Sequence, residues 1–296
     1  MTETKSEAAA YEFTTLTCIP GNLMYNGTKV QLLDLPGIIE GASQGKGRGR
    51  EVIAVAKTAD LIMMVLDGGK EQVNRHREIL ETELETVGLR LNRTPPHVTL
   101  KRKKTGGVRI NKTCKLTKLG DDPEQTVRQI LAEYKMHNTD VMIREDVSVD
   151  EFIDVIMGNR RYVKCLYVYN KIDMISIEEV DKLAREPHSI CISVQMNLNL
   201  DRLLARIWAC MGLIRVYTKR RGAPPDLDAP VVLSTQRDGI TVKGCTEAIS
   251  KELLAVFNFA FVWGRSCKHS PQRVGLNHVL EDEDVIQVRN GTYAFL

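Results

Sequence analysis

Two continuous apolar runs, each followed by a polar residue, constrain the fold more than any other feature of this chain. Residues 61–66 read Leu-Ile-Met-Met-Val-Leu before Asp67, and residues 165–169 read Cys-Leu-Tyr-Val-Tyr before Asn170. Such runs are typical of strands that are buried on both faces of a parallel sheet. A third short apolar run lies at 190–193, and three helical patterns, at 51–59, 70–87 and 200–211, alternate with the apolar runs. The alternation predicts an α/β fold with ligand-binding loops at the carboxyl ends of the strands.

A hairpin is predicted ahead of these strands. Residues 14–24 and 29–34 are rich in β-branched and apolar side chains, and they flank Tyr25-Asn26-Gly27-Thr28. An Asn-Gly pair between two such stretches is typical of a tight turn between antiparallel strands.

The chain between Asp67 and Asn170 is longer than one helix and a loop require. It contains two helix-like stretches, at 126–135 and 149–157. We therefore expect an inserted α+β subdomain over residues 89–160.

The last part of the chain has a different pattern. Short apolar stretches flank one helical pattern at about 242–256, and they lie at 231–233, 259–263 and 284–288. This predicts a small β-rich module of four or five strands over residues 214–290. Residues 1–88 and 161–213 then form the α/β domain.

Composition limits the classes of partner. The chain has 41 Lys and Arg against 38 Asp and Glu, so its net charge of +3 does not support nucleic-acid binding by overall charge. Any such contact must be local. Two basic runs, at 101–104 and 219–221, either meet phosphate groups or are solvated loops, and the sequence leaves both readings open.

The cysteine pattern and the lack of membrane signals predict a cytoplasmic protein. The seven cysteines are scattered and form no C-x-x-C pair, which is typical of reduced thiols. No apolar stretch approaches the length of a membrane span, and residues 1–7 are polar rather than the apolar core of a signal peptide. We expect no membrane contact.

Asn170-Lys171-Ile172-Asp173 has the N-K-x-D pattern of a guanine-reading loop. In such a loop the asparagine bonds the Hoogsteen edge, the lysine stem covers the ring, and the aspartate accepts from N1–H and the 2-amino group. Adenine lacks both donors, so a carboxylate here discriminates against it. Alone, the pattern is also compatible with an ordinary polar turn.

Asp34-Leu35-Pro36-Gly37 follows the second hairpin strand and has the D-x-x-G pattern. The functional interpretation gives Asp34 a water-mediated magnesium contact and gives the Gly37 N–H a contact to the γ-phosphate. Thr15, upstream, is the candidate for direct magnesium ligation. Each motif alone is weak, but their combination in this chain order indicates a nucleotide site.

The expected phosphate-binding loop is missing from the sequence. A loop of the form G-x-x-x-x-G-K-[ST] supplies the N–H groups and the lysine that hold the β-phosphate. Gly45-Lys46 is the nearest match, but it follows the D-x-x-G motif and is succeeded by Gly47 rather than Ser or Thr. The sequence therefore carries the switch and base-reading motifs without the main phosphate-binding one.

These motifs resemble those of the developmentally regulated GTP-binding (DRG) proteins of the Obg group. The resemblance is carried by residues 11–21, 33–42, 45–50 and 169–173. It extends to the predicted insertion through 144–154, and to the family's C-terminal TGS domain, a β-grasp module, through 270–276 and 281–287. The insertion and the tail look more like the second of the two eukaryotic paralogues.

The resemblance implies a GTPase that uses GTP and magnesium and is associated with ribosomes and translation. It also implies a partner, the DRG family regulatory protein. Ser193 takes the place of the last nucleotide-loop motif, whose backbone covers the guanine, although Val194-Gln195 departs from the small residues usual there. Ile38 stands where Ras-type enzymes carry a water-positioning glutamine, so slow intrinsic hydrolysis is expected. No catalytic residue is assigned.

In the family, a helix-turn-helix segment, the first strand and the P-loop precede the stretch at 6–11. The resemblance therefore predicts an N-terminally truncated chain whose sheet lacks its first, normally central strand. Three readings stay open. The chain is a DRG-type GTPase switch, a P-loop-less binding protein that acts through its inserted and TGS modules, or the product of an incomplete gene model.

Overall fold

A computed structural model describes residues 19–35, 55–70, 72–235 and 239–290. The strands in these ranges are β1 (Ile19–Tyr25), β2 (Thr28–Asp34), β3 (Leu61–Asp67), β4 (Leu89–Leu91), β5 (Val98–Arg102), β6 (Arg109–Lys112), β7 (Thr139–Ile143), β8 (Arg161–Asn170), β9 (Ser189–Cys191), β10 (Leu213–Lys219), β11 (Pro225–Ser234), β12 (Phe257–Trp263), β13 (Gln272–Val274) and β14 (Asp284–Asn290). The helices are α1 (Val73–Thr86), α2 (Pro123–Glu133), α3 (Val149–Met157), α4 (Ile177–Ala184), α5 (Leu200–Met211), α6 (Val242–Ile249) and α7 (Lys251–Ala255).

The chain forms two compact units. Of the described residues, 19–35, 60–70, 72–73, 166–235 and 239–290 lie in the first unit, and 55–59 and 74–165 lie in the second. The domain boundaries expected from the sequence stay a prediction.

The first unit contains the parallel strands that the apolar runs predicted. β8 pairs in parallel with β9, with Tyr167 opposite Ser189 and Tyr169 opposite Cys191, and β3 lies beside β8. Helix α5 packs against these strands through the buried residues Leu166, Val168, Ile192, Leu203 and Ile207. The predicted strands and the predicted helix at 200–211 are confirmed.

One expectation for β3 is wrong. Met64 and Leu66 are buried, as a strand within a sheet requires, but Val65 between them is 61% exposed. Successive side chains of a strand point to opposite faces, so Val65 lies on the face opposite to its two neighbours. Near its carboxyl end, β3 is therefore covered on one face only.

The predicted hairpin is present. β1 and β2 are antiparallel, and Tyr25 pairs with Thr28 across the Asn26-Gly27 turn. Both turn residues have positive φ, 49° and 71°, which the sequence favours because Asn and Gly tolerate this conformation. In the described ranges the hairpin is a two-stranded sheet separate from β3 and β8. The predicted strand residues before Ile19 lie outside those ranges.

The β-rich module has five strands in the order β11-β10-β14-β12-β13. Its core lies between this sheet and α6, through residues such as Val242, Cys245, Ala260 and Val262. Strands β10 and β13 were not predicted. The prediction of a single helix is also wrong, because two helices are present. Helix α6 ends before Ser250, whose φ of −165° is extended. The Ser250 hydroxyl oxygen then caps α7 by accepting from the Glu252 N–H at 3.1 Å.

The second unit contains the predicted inserted α+β subdomain. Its sheet has the order β5-β7-β6, with β5 antiparallel and β6 parallel to β7. Helices α2 and α3 cover this sheet through a core that includes Val127, Leu131, Val141, Ile143 and Phe152.

Helix starts in the second unit agree with their sequence signals. Asp122 caps α2 directly before Pro123, and Ser148 and Glu151 form a capping box on α3. These caps satisfy N–H groups that a helix start otherwise leaves without partners. Among the described helices of both units, none is long and apolar enough to cross a bilayer.

A buried ion-pair cluster links α3 to β4 in the second unit. The Asp154 carboxylate, 5% exposed, accepts from Arg90 Nε at 2.5 Å and Nη2 at 2.7 Å, and from Arg160 Nε at 2.9 Å. The hydrogen bonds that Arg90 donates to Asp154 hold the pKa of Arg90 above its usual range. Two guanidinium groups therefore depend on one buried carboxylate.

Asp154→Asn is expected to destabilise the protein by about 3 kcal/mol, because it leaves two largely buried cations without a counter-charge. Urea unfolding followed by circular dichroism measures this loss. Glu124→Gln is the matched control, since it removes the exposed Lys112–Glu124 pair of the same unit. Equal effects of the two substitutions would contradict the importance of the buried cluster.

Candidate functional site

The loops after β8 and β9 meet at one edge of the parallel strands. The Ile192 N–H donates to the Tyr169 carbonyl at 2.8 Å, and the Ile172 N–H donates to the Ile192 carbonyl at 3.3 Å. These bonds continue the parallel pairing beyond the two strands. As a result, the turn that starts at Asn170 lies against the loop that starts at Ser193.

Asn170 connects the two loops through its side-chain oxygen. Its Oδ1 accepts from the Val194 N–H at 3.1 Å and from the Lys171 N–H at 2.9 Å. Both bonds fix the orientation of the amide. With the oxygen used in this way, the Nδ2 group is the donor that the side chain can offer to a ligand.

Asp173 and Ser193 form the second connection. The hydroxyl of Ser193, which is fully buried, donates to Asp173 Oδ1 at 2.5 Å. The Met196 N–H in turn donates to Ser193 Oγ at 3.2 Å. Asp173 itself is exposed. The carboxylate is thus held in place by a buried group while it remains open to solvent and to a ligand.

Lys171 adopts a left-handed conformation, with φ of 65°, and a short 3-10 turn follows it. Its Nζ contacts Asp67 Oδ2 at 2.7 Å. The hydrogen bond from Lys171 lowers the pKa of Asp67, against the opposing effect of burial, and the Gly69 N–H contributes in the same direction. Asp67 is therefore a carboxylate at neutral pH, with its charge directed at the lysine.

Asp67 was not among the predicted site residues. It directly follows a buried strand, and the rule that parallel strands end at one edge could have placed it beside Asn170. The Gly68 N–H donates to the Asn170 carbonyl at 2.8 Å, and a Cβ at Gly68 would lie 3.1 Å from that oxygen. A glycine at this position thus allows the ends of β3 and β8 to approach closely.

The structure brings together four of the predicted site residues, Asn170, Lys171, Asp173 and Ser193. Asp34 is exposed at the end of β2, in the hairpin sheet, which is separate from the sheet that contains β8. Thr15 and Gly37 lie outside the ranges that the structure describes.

The two basic runs differ in their surroundings. In the first, Lys103 pairs with Asp140 at 2.6 Å, whereas Lys101, Arg102 and Lys104 are exposed. In the second, Lys219 Nζ lies 5.5 Å from the centre of the Trp263 ring, and the two arginines that follow are exposed. Cationic groups therefore remain accessible in both runs.

Three family models together match nearly all of the chain. Residues 1–102 match the family described as "50S ribosome-binding GTPase", and residues 105–213 match the C-terminal region of the MMR_HSR1 domain. Residues 214–289 match the TGS domain. The β-rich module is thus the TGS domain that the sequence predicted.

Similar proteins cover nearly all of the chain. Developmentally-regulated G-protein 1 of Arabidopsis thaliana is 58% identical over 288 residues, which are 97% of this chain and 71% of that protein. Developmentally-regulated GTP-binding protein 2 of Homo sapiens is 57% identical over 288 residues, 97% of this chain and 77% of that protein. This chain belongs to the developmentally regulated GTP-binding protein family.

Membership of the DRG family agrees with a solved structure of similar fold. The YchF GTPase of Schizosaccharomyces pombe matches with a TM-score of 0.50 at 12% sequence identity, over 95% of this chain and 90% of that chain. At this identity the likeness concerns the fold alone. The TGS assignment of this DRG-family chain rests instead on the match of residues 214–289.

Ser193→Ala is expected to loosen the loop after β9, because it removes the donor to Asp173 and the acceptor for the Met196 N–H. The expected loss of stability is about 1 kcal/mol, with faster amide hydrogen exchange at residues 193–198. Mass spectrometry of exchanged peptides measures the change.

Ser189→Ala is the control for this substitution, because its hydroxyl donates to the carbonyls of Leu183 and Glu186 rather than to the loop. Unchanged exchange at 193–198 in the Ser193 variant would show that the hydroxyl does not hold the loop.

Proposed function

We propose that this protein binds guanine nucleotides and that Asn170, Lys171, Asp173 and Ser193 read the base. The observation that carries the proposal is the hydrogen bond from buried Ser193 to exposed Asp173. It holds a carboxylate at the surface, and in the same pair of loops the Asn170 oxygen is already bonded, so its Nδ2 group is the part that can donate to a ligand. In this assignment the Asp173 carboxylate accepts from N1–H and the 2-amino group of guanine, and the Asn170 amide donates to its Hoogsteen edge.

Discrimination against adenine follows from the same groups. Guanine offers N1–H and a 2-amino group to Asp173, whereas adenine offers neither, so the carboxylate would lose water without gaining donors. Asn170 is held by Val194 and cannot turn freely to accept in place of donating. In this proposal the apolar stem of Lys171, whose ammonium group is held at Asp67, would cover the plane of the base.

The proposal extends to GTP with magnesium. In this proposal the Gly37 N–H would donate to the γ-phosphate, and Thr15 and Asp34 would hold the metal, Asp34 through water. The exposed carboxylate of Asp34 has the hard oxygen donors that Mg²⁺ prefers. Bound magnesium supplies positive charge that neutralises the phosphate oxygens. Hydrolysis of GTP then makes the protein a switch, with slow intrinsic turnover.

We further propose that the switch acts in the cytoplasm, in association with ribosomes and translation and together with the DRG family regulatory protein. Support comes from the family description "50S ribosome-binding GTPase", which matches residues 1–102, and from the two accessible basic runs.

A second candidate function is a binding protein that does not hydrolyse GTP and acts through its inserted and TGS modules. The favouring observation is that the sequence has no G-x-x-x-x-G-K-[ST] motif. Both candidates share the base-reading loops. They differ in nucleotide turnover, which a phosphate-release assay on this chain measures directly.

The 296-residue chain is expected to bind GTP weakly, because its sequence has the proposed guanine-reading motif and has no G-x-x-x-x-G-K-[ST] motif for the phosphates. Saturation-transfer NMR with millimolar GMP and AMP detects such binding, and a signal is expected for GMP alone. Asp173→Asn should shift the preference toward xanthosine monophosphate, whose additional carbonyl accepts from the new amide.

Glu178→Gln is the control, since this exposed carboxylate lies on α4, outside the loops. Equal signals from GMP and AMP, or an Asp173→Asn variant with unchanged preference, would contradict base reading. Micromolar or tighter affinity for GTP would instead contradict the expected weakness of phosphate binding.

The protein is expected to sediment with ribosomes at low salt. Replacing Lys101 and Lys104 by Glu should reduce the bound fraction severalfold, since both exposed ammonium groups become carboxylates facing phosphate. Centrifugation through a sucrose cushion measures the bound fraction. Replacing Lys182, which is exposed on α4, by Glu is the control. Ribosome binding that neither variant changes would exclude the 101–104 run as a contact.

A further inference from the structure

One exposed threonine directly follows the first basic run of the chain. The stretch from 86 to 120 contains ten Lys and Arg residues and no Asp or Glu. The 101–104 run lies near the middle of this stretch, and Thr105 is the next residue. In the inserted subdomain Thr105 is exposed, in the connection between β5 and β6. Its hydroxyl therefore lies at the surface within a strongly basic local sequence.

The Thr105 hydroxyl differs from those of two other threonines in the same sheet. Thr99 Oγ1 accepts from Arg144 Nη1 at 3.0 Å, and Thr113 Oγ1 donates to the Ile143 carbonyl at 3.4 Å. Thr105 Oγ1 makes no hydrogen bond to any residue that the structure describes. Chemical modification of Thr105 therefore breaks no hydrogen bond of its hydroxyl within the described fold.

The loop around Thr105 is held on each side and is open in between. Asn138 Oδ1 accepts from the Gly107 N–H at 2.9 Å, and Asn138 Nδ2 donates to the Lys104 carbonyl at 3.4 Å. Gly106 and Gly107, with φ of 107° and 69°, turn the chain directly after the threonine. A Cβ at Gly107 would have no described atom within 4 Å. The space beside this turn is therefore open to an approaching enzyme.

Most cations of the run are available to a partner. Lys103 Nζ pairs with Asp140 at 2.6 Å, whereas the other three members are exposed and have no ion pair among the described residues. Arg102 ends β5, which is an edge strand of its sheet, and it lies three residues before Thr105. Protein kinases that select basic sequences read such cations with carboxylates in their substrate clefts. The run thus has the charge pattern of a substrate for a kinase of this class.

We propose that Thr105 is a phosphorylation site for a protein kinase that selects basic sequences, and that its phosphorylation weakens anion binding by the 101–104 run. Thr105 Oγ1 attacks the γ-phosphorus of the ATP that the kinase holds. A new O–P bond forms while the bond from that phosphorus to the β,γ-bridging oxygen breaks, and ADP leaves with the electron pair. The hydroxyl proton passes to the carboxylate base of the kinase.

The product places negative charge directly beside the cations. The four residues of the run carry a formal charge of +4, and a phosphothreonine adds about −2 at neutral pH. Its oxygens accept charge-assisted hydrogen bonds from neighbouring ammonium and guanidinium groups. Attraction of other phosphate groups to the run is thereby reduced. Release from ribosomes would follow only if the proposed function holds, whereas the modification and the loss of anion affinity do not depend on it.

Treatment of the full chain with ATP and the catalytic subunit of cyclic-AMP-dependent protein kinase tests the site. Mass spectrometry should locate the phosphate at Thr105, and Thr105→Ala should remove it. Thr94→Ala is the matched control, because Thr94 is also exposed but only Arg93 is cationic among the three residues before it. Arg102→Ala should lower the initial rate about tenfold, since a guanidinium that the kinase reads is lost. Arg109→Ala removes an exposed cation after the acceptor and should leave the rate unchanged.

Retention on a heparin column measures the effect on anion binding. The phosphorylated chain should elute at a lower salt concentration than the unmodified chain. Lys182→Glu is the control for net charge, because it also changes the charge by about −2, at an exposed site on α4. The shift caused by the phosphate should be at least about twice the shift caused by Lys182→Glu, because the phosphate lies next to the run.

Three results would overturn the proposal. A folded chain without phosphate at Thr105 would exclude the site. Equal phosphorylation of Thr105 by casein kinase II, which selects acidic sequences, or a rate that Arg102→Ala does not lower, would exclude reading of the run. Equal elution shifts for phosphorylation and for Lys182→Glu would exclude the effect on anion binding. None of these measurements uses ribosomes or guanine nucleotides, so this proposal and the proposed function can fail separately.

Discussion

The parallel pairing of β8 with β9 is the constraint on which the candidate site depends. Parallel strands end at the same edge of a sheet, so Asn170 and Ser193 are neighbours although 22 residues of chain separate them. The hydrogen bond from the Ile192 N–H to the Tyr169 carbonyl extends this pairing to the last residue before the turn. Any change that shifted the register of β9 would separate Ser193 from Asp173 and Val194 from Asn170 together.

The buried and exposed members of the site have different tasks. Ser193 is buried and positions Asp173, which is exposed, and the backbone of Val194 positions Asn170. A ligand can thus reach groups whose orientation is already fixed, which reduces the entropy lost on binding. The orientation of Lys171 is also fixed, because its ammonium group contacts Asp67, the last residue of the neighbouring strand β3.

Sequence patterns predicted those parts of the structure that local signals determine. The apolar runs gave β3 and β8, Asn26-Gly27 gave the hairpin turn, and the N-K-x-D and Ser193 positions proved to be neighbours. The failures arise where the outcome depends on distant residues. The exposure of Val65 depends on what covers one face of the strand, and Asp67 needed knowledge of which strands are adjacent.

The TGS domain shows the same division between local and distant causes. β10 was missed although Gly212, with φ of 60°, ends α5 directly before an alternating stretch, which is a readable signal. The sequence signal for the break between α6 and α7 is weaker. It consists of Ser250, which interrupts a helical pattern and caps the next helix. Three cations lie over aromatic rings of β12, and they could not be predicted, because Lys219, Arg273 and Arg289 come from three different strands.

A small net charge is compatible with local recognition of anions in this protein, because several carboxylates are paired with cations while other cations remain exposed. Asp154 pairs with Arg90 in a buried cluster, Asp67 pairs with Lys171 beside the base-reading loops, and Asp282 and Glu283 pair with Arg215 in the TGS domain. Carboxylates consumed in this way leave Lys101, Arg102 and Lys104, and the arginines after Lys219, exposed to solvent. A chain of net charge +3 can therefore present two positive surfaces without a strongly basic composition.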